Sequence, residues 1–181
     1  ADAQAALERE PVVMARYRGL LQRKIEAIRT RCHGDYHLGQ VLYTGRDFQI
    51  IDFEGEPARP ISERRIKRSP LVDVAGMLRS FHYAAYSGLA TARESGIAQS
   101  DGASSLEQWA RWWAEWVSAY FLKGYFATAH DSPVLPARID DIETLLDAFL
   151  LDKAIYELGY ELNSRPDWVG IPLRGILDLT G

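Results

Sequence analysis

The sequence has one cysteine, Cys32, so no disulfide can form within the chain. Nothing around that residue marks a nucleophile, and it reads as a small buried side chain. There is no excess of positive charge: 21 lysines and arginines stand against 25 aspartates and glutamates, for a net charge of -4. Nucleic-acid binding needs a broad basic field, and this balance excludes one, leaving small molecules as the expected partners. No apolar run is long enough to span a bilayer and no signal-peptide pattern opens the chain, so no membrane partner is expected and the cytoplasm is the default compartment. Internal repeats, low-complexity tracts and flexible linkers are also missing, and residues 1–181 read as one unit. What is present is a hydrophobic fraction of 47%, enough for a core. The chain opens on Ala1 rather than methionine, which leads us to expect that it begins inside a longer protein.

Periodicity then assigns the elements. From Pro11, Val13, Tyr17, Leu20, Leu21 and Ile28 recur at helical spacing and predict a helix running to Thr30. Two short β-prone runs, Val41 to Tyr43 and Phe48 to Ile51, flank the turn residues Thr44-Gly45-Arg46-Asp47 and predict a hairpin. Glu54 to Pro70, with three prolines among charges and no periodicity, reads as a long ordered loop. Its basic run Arg59, Arg64, Arg65, Lys67 and Arg68 is interspersed with Glu56 and Glu63 and reads as solvated charge outside any site.

Helix is expected again from Asp73 through Val74, Met77, Leu78 and Phe81. After a break at Gln99-Ser100-Asp101-Gly102, a second helix is expected, with Ser105 and Gln108 forming a capping box. Its Trp109, Trp112, Trp113 and Trp116 fit core packing better than sugar stacking. A third helix carries Ile142, Leu145, Leu146, Phe149 and Tyr156 and should end near Asn163, ahead of Pro166. The fold class is therefore predominantly α with a small β-hairpin.

The chemistry concentrates in His33-Gly34-Asp35-Tyr36-His37-Leu38-Gly39-Gln40 and, across the hairpin, Ile51-Asp52-Phe53-Glu54. Phosphoryl transfer requires an acid beside the acceptor hydroxyl and oxygen ligands that hold magnesium against the nucleotide phosphates. Asp35 can supply the first, Gln40 and Asp52 the second, and the hairpin would bring the three together. The same His-x-Asp-x-His pattern admits a metallohydrolase reading, with His33 and His37 as ligands, although Gln40 is a poor zinc ligand.

At these residues the chain resembles the aminoglycoside-phosphotransferase-like kinases, whose pattern is His-Gly-Asp-x-His-x-x-Asn followed by Ile-Asp-Phe or Ile-Asp-Trp. Within that group, His33 to Leu42, Asp52 to Pro57 and Ser69 to Ser80 look like maltokinase, including maltokinase domains fused to trehalose synthases; Gln40 in place of the usual asparagine points the same way. The resemblance implies the C-terminal lobe of a protein-kinase-like fold, with a catalytic loop and metal-binding hairpin over residues 31–57 and a helical acceptor-binding region over 73–181. It implies ATP and Mg2+ as cofactors, Asp35 as the catalytic acid or base, and Gln40 and Asp52 as ligands to magnesium and nucleotide. His33 and Asp73 would brace the catalytic loop. The expected product is maltose 1-phosphate, with another small-molecule acceptor as the alternative. The family's N-terminal lobe, with its phosphate-covering loop, is not recognised ahead of Pro11 and becomes an expected partner, together with a trehalose synthase domain. A non-catalytic module of such an enzyme is the rival from another functional class.

The acceptor side is drawn from the third helix. Lys153, Glu157 and Glu161 share one i, i+4 row beside Tyr156 and Tyr160, with Arg165 and Trp168 just beyond. A surface ion-pair row and a sugar pocket both fit this pattern. The resemblance to maltokinase C-terminal helices favours the pocket, with His37 as a further acceptor contact.

Overall fold

A computed structural model describes residues 2–96 and 103–181. Its central element follows from one stripe of sequence: Leu71, Val74, Met77, Leu78 and Phe81 repeat every three or four residues and are all buried along helix α4, Leu71–Glu94. Pro70 caps that helix, its ring fixing φ at a helical value. Helices α5, Ala103–Ala129, and α6, Ile139–Ser164, pack on α4 and close the main core with Val117, Phe121, Leu122, Leu145, Leu146 and Phe149. Each large side chain buried outright, such as Leu71 or Met77, contributes about 1.5–3 kcal/mol relative to exposure.

Two short N-terminal helices, α1 (Asp2–Glu8) and α2 (Glu10–Leu21), and the C-terminal helix α7 (Gly170–Thr180) complete the helical body. Val13 and Tyr17 of α2 and Ile176 and Leu179 of α7 gather around Leu151 and Ala154 of α6, both without exposed surface. This fixes the α6 backbone at the level of the site. The loop between the hairpin and α4 holds a single helical turn, α3, Ile61–Arg64.

The hairpin pairs β1, Val41–Tyr43, with β2, Phe48–Ile50, in antiparallel register Val41↔Ile50, Leu42↔Gln49 and Tyr43↔Phe48. Gly45 takes the left-handed backbone that its turn requires, at φ +89°. The ladder extends by one bond, Ile51 N–H to Gln40 O at 3.0 Å, so that Gln40 and Asp52 lie side by side at the hairpin's base.

Several expectations are corrected. Helix α2 stops at Leu21 instead of reaching Thr30, because the following backbone is claimed by distant partners. Ile28 N–H donates to Pro133 O at 3.2 Å, and Thr30 exchanges two bonds with Arg68. Ile28 is left 54% exposed. Helix α4 begins at Leu71, two residues before Asp73. Ser105 lies within α5, which already includes Ala103, so it is not the cap; the expected break at Gln99–Gly102 falls outside the described residues.

The tryptophans depart furthest from expectation. Trp109, Trp112, Trp113 and Trp116 are 61%, 52%, 47% and 63% exposed. Helix α5 has two stripes at the same spacing, and the one carrying Ala110, Ala114, Val117 and Phe121 faces inward against its neighbours. Among the described residues, no helix is long and apolar enough to cross a membrane.

Candidate active site

The loop from His33 to Gln40 is held from below by α4. Asp73, in the first turn of that helix, accepts the backbone N–H of His33 at 2.7 Å and of Gly34 at 2.8 Å, one on each carboxylate oxygen. Ser80 Oγ accepts Leu38 N–H at 3.0 Å. Between them Gly76 lets the loop lie directly on the helix, since a Cβ there would stand 2.6 Å from Tyr36 O. Gly34, at φ +85°, sits against Gly55, at φ +80°, and this contact clasps the loop to the segment following Asp52.

His33 is buried and ties the two halves of the motif together. Its Nε2 bonds Ile51 O at 2.7 Å, while Nδ1 accepts Asp35 N–H at 3.3 Å, which assigns the ring hydrogen to Nε2. With both ring nitrogens engaged, His33 has none to offer a metal. Among the described residues, no three His, Cys, Asp or Glu side chains converge as a metal cluster.

Asp52 adopts a left-handed backbone at φ 61°, a conformation that costs a non-glycine residue on the order of 1 kcal/mol or more and clusters at functional sites. Gln40 Nε2 donates to Asp52 Oδ2 at 3.1 Å, which leaves the amide oxygen of Gln40 and the second carboxylate oxygen of Asp52 without a protein hydrogen bond among the described residues. Two hard oxygen donors converging on one exposed spot suit magnesium, which binds through one or two protein oxygens and completes its shell with phosphates and water.

Asp35, on the loop that precedes the hairpin, is half-buried. Its Oδ1 lies 3.6 Å from Lys153 Nζ and its Oδ2 3.6 Å from His37 Nε2. Burial pushes its carboxyl up, but His37 and Lys153 together outweigh burial and hold it below the ordinary carboxylate range. Asp35 is thus kept ionised.

Beyond Asp35 opens a cleft of about 420 Å³ between the loop, α4 and α6. His37, Lys153, Tyr156, Glu157, Tyr160, Glu161 and Arg165 all line it, joined by Glu56, Ser80 and Tyr83. Trp168 does not: it lines a separate cavity with Gly170 and Arg174, and the Arg165 guanidinium lies 5.1 Å from its ring. The helix ends at Ser164 and the turn Pro166–Trp168 carries the indole away from the opening.

The acidic wall is braced from behind. Arg79, buried on α4, donates two N–H groups to Glu157 Oε2 at 2.9 and 2.7 Å, which leaves Oε1 unengaged by these bonds. A Cβ on Gly175 of α7 would collide with that guanidinium, so the glycine makes room for it. Glu161, 1% exposed, accepts Arg165 Nε at 2.9 Å and Tyr83 Oη at 2.6 Å. Burial and the Glu161 carboxylate push the Tyr83 phenol far up, keeping it a donor. Burial and Glu56 likewise raise Tyr156 to about 12.

Arg79, Tyr83, Glu56 and Arg59 are the residues that sequence reasoning missed. An arginine four residues before a tyrosine within the apolar stripe of α4 was the available signal, since a buried guanidinium demands an acid across the interface. Arg59, set aside as solvated charge, lies 5.8 Å from the Tyr156 ring.

Cys32 donates weakly to the carbonyls of Arg68 and Ser69 behind the loop, and burial together with Asp73 pushes its thiol up to about 11. Alkylation by iodoacetamide should therefore be slow at pH 7 and accelerate steadily as pH rises past 9, since only the thiolate reacts. Rapid labelling at pH 7 would contradict this environment.

No family model matches the chain. Two curated relatives are glucosamine kinases: one from Streptacidiphilus jiangxiensis, 28% identical over 152 residues, and one from Mycolicibacterium smegmatis, 31% identical over 150 residues. Each match covers 81% of this chain but only 31% and 34% of the relative, so the chain spans about a third of their length. Among solved structures, a glucosamine kinase superposes with a TM-score of 0.75 at 24% identity, covering 99% of this chain and 40% of that one. Another, in complex with glucosamine, ADP and inorganic phosphate, gives 0.73 at 24% identity over 99% of this chain and 42% of that one. The chain shares the kinase-like fold of that portion of glucosamine kinase. These relatives lend no support to the narrower resemblance to maltokinase or to a trehalose synthase partner.

Proposed function

We propose that this chain forms the catalytic and acceptor-binding part of an ATP-dependent sugar kinase whose acceptor is glucosamine or a closely related amino sugar. The observation that carries the reading is one juxtaposition. An ionised Asp35 lines an acid-rich cleft, and the hairpin that follows its loop carries the Gln40–Asp52 oxygen pair. The two glucosamine kinase relatives favour the alternative acceptor, another sugar taken by the same fold, over maltose.

On this reading the sugar sits between α4 and α6 with one hydroxyl against Asp35, which orients it and receives its proton as the phosphoryl group transfers. Glu157, gripped by Arg79 through one oxygen, turns the other toward the cleft, where an ammonium group would be satisfied. Glu161 is saturated by Arg165 and Tyr83 and shapes the far wall. Gln40 and Asp52 would hold magnesium, which neutralises the nucleotide phosphates when bound. Little else is asked of the protein, because phosphoryl transfer is governed by alignment and charge.

ATP consumption by the parent protein with glucosamine, maltose, glucose and an aminoglycoside tests the assignment. Turnover should be fastest with glucosamine. Preference for maltose would restore the narrower resemblance, and no turnover with any acceptor in a folded parent would remove the kinase reading.

A further inference from the structure

Lys153 sits where an acceptor ligand is expected, yet its nearest acid is the catalytic one. Its Nζ lies 3.6 Å from Asp35 Oδ1 and 5.1 Å from the Tyr156 ring centroid. Leu151 and Ala154 beside it in the chain are fully buried, so the stem starts from fixed backbone and the ammonium is confined between ring and carboxylate. We propose that Lys153 is a positioning residue for Asp35, holding the carboxylate aimed at the acceptor hydroxyl, rather than a ligand of the sugar. This rests on the sugar-kinase reading and deepens it.

Three observations converge. His37 stands 3.6 Å from Oδ2 as Lys153 does from Oδ1, so the carboxylate is flanked on both oxygens and its plane is set. Tyr156, Glu56 and Glu157 share the open cleft with Asp35, and the small cavity beside it is lined further by Cys32, Arg59, Glu63, Arg64, Arg68, Asp73 and Asp152. Lys153 is the cation from α6 that reaches Asp35. The acceptor's chemistry points the same way: an amino sugar carries an ammonium of its own, which a lysine repels, so the charge of Lys153 is useful toward Asp35 and the transferring phosphoryl group. A hydroxyl bonded to Asp35 would lie within about 6 Å of the lysine nitrogen, close enough for its charge to act as the reaction proceeds.

The test uses Lys153→Met, which keeps the apolar stem, and Lys153→Arg, which keeps the charge. In the parent enzyme with glucosamine and Mg-ATP, Lys153→Met should lower kcat about tenfold or more while KM for the sugar stays within about threefold. The acid limb of the pH profile should move to higher pH, and Lys153→Arg should recover part of kcat. Independently of turnover, a 13C titration of the Asp35 carboxyl in the folded parent protein should show it protonating at higher pH in Lys153→Met than in the natural sequence. A raised KM with unchanged kcat would make Lys153 an acceptor ligand and overturn the proposal, as would an Asp35 titration that does not move. If the natural parent transfers nothing to glucosamine, the functional reading fails, and the carboxyl titration still decides the role of Lys153.

Discussion

Asparagine in place of Asp35 should cut kcat of the parent kinase by about 10²–10⁴-fold, the range a positioned acid or base supplies. Sugar affinity should change far less, because the cleft walls built by Arg79–Glu157 and Tyr83–Glu161–Arg165 do not pass through Asp35. Steady-state kinetics with glucosamine, together with a thermal melt, separates the two effects; the melt should shift by no more than about 4 °C. A pH dependence accompanies this loss. Burial raises the Asp35 carboxyl and the neighbouring His37 and Lys153 lower it by more, so its folded value lies below the unfolded one. The ionised form therefore contributes stability above the unfolded value, and that contribution disappears as pH falls through the folded value. The natural enzyme should accordingly keep its active carboxylate at a pH where an ordinary aspartate would be half protonated. Asp35→Asn with undiminished kcat would show that the group is not the acid or base.

Asp73→Asn should be the most damaging change away from the reacting atoms. Each Asp73 oxygen accepts one backbone N–H of the loop that carries Asp35, from His33 and from Gly34. The amide keeps one acceptor and turns its NH2 toward the other N–H, so one of the two backbone donors loses its partner and faces a second donor instead. Leaving such a group unsatisfied costs about 2–3 kcal/mol, equivalent to a melting temperature lower by about 5–10 °C in a chain of this size. Because the same bonds fix the loop carrying Asp35, turnover should fall about tenfold or more alongside it. Differential scanning calorimetry and kinetics on the same preparation check both. An unchanged melt would mean that the loop is held by Gly76 and Ser80 without Asp73.

The site was legible where local chemistry and spacing coincide. Asp35, Gln40 and Asp52 were readable because a short loop and a tight hairpin leave few ways to arrange them, and the i, i+4 row Lys153–Glu157–Glu161 puts its members on one face of α6. The structure brings Asp35 and the α6 row to a common cleft and pairs Gln40 with Asp52 at the hairpin's base, yet the individual roles are decided by partners far away in sequence. Glu157 is gripped by Arg79, 78 residues distant, and Glu161 by Tyr83, equally distant. No local pattern pairs them. The same limit explains Trp168, which helical spacing cannot follow past the helix end. It also explains the tryptophans of α5, where two stripes of equal period compete and only tertiary packing decides which faces inward. The helix extended to Thr30 failed for a related reason: the backbone of residues 28–30 bonds to Pro133 and Arg68, and these long-range bonds override propensity.

The central claim is that this chain supplies the acid and the acceptor cleft of an amino-sugar kinase, and 31P NMR of the parent protein with Mg-ATP and glucosamine tests it most directly. The account predicts loss of the ATP γ-phosphate resonance matched by growth of a sugar phosphomonoester, abolished by Asp35→Asn and absent with maltose. Release of free inorganic phosphate alone, or an ester that forms equally well in the Asp35→Asn protein, would contradict it.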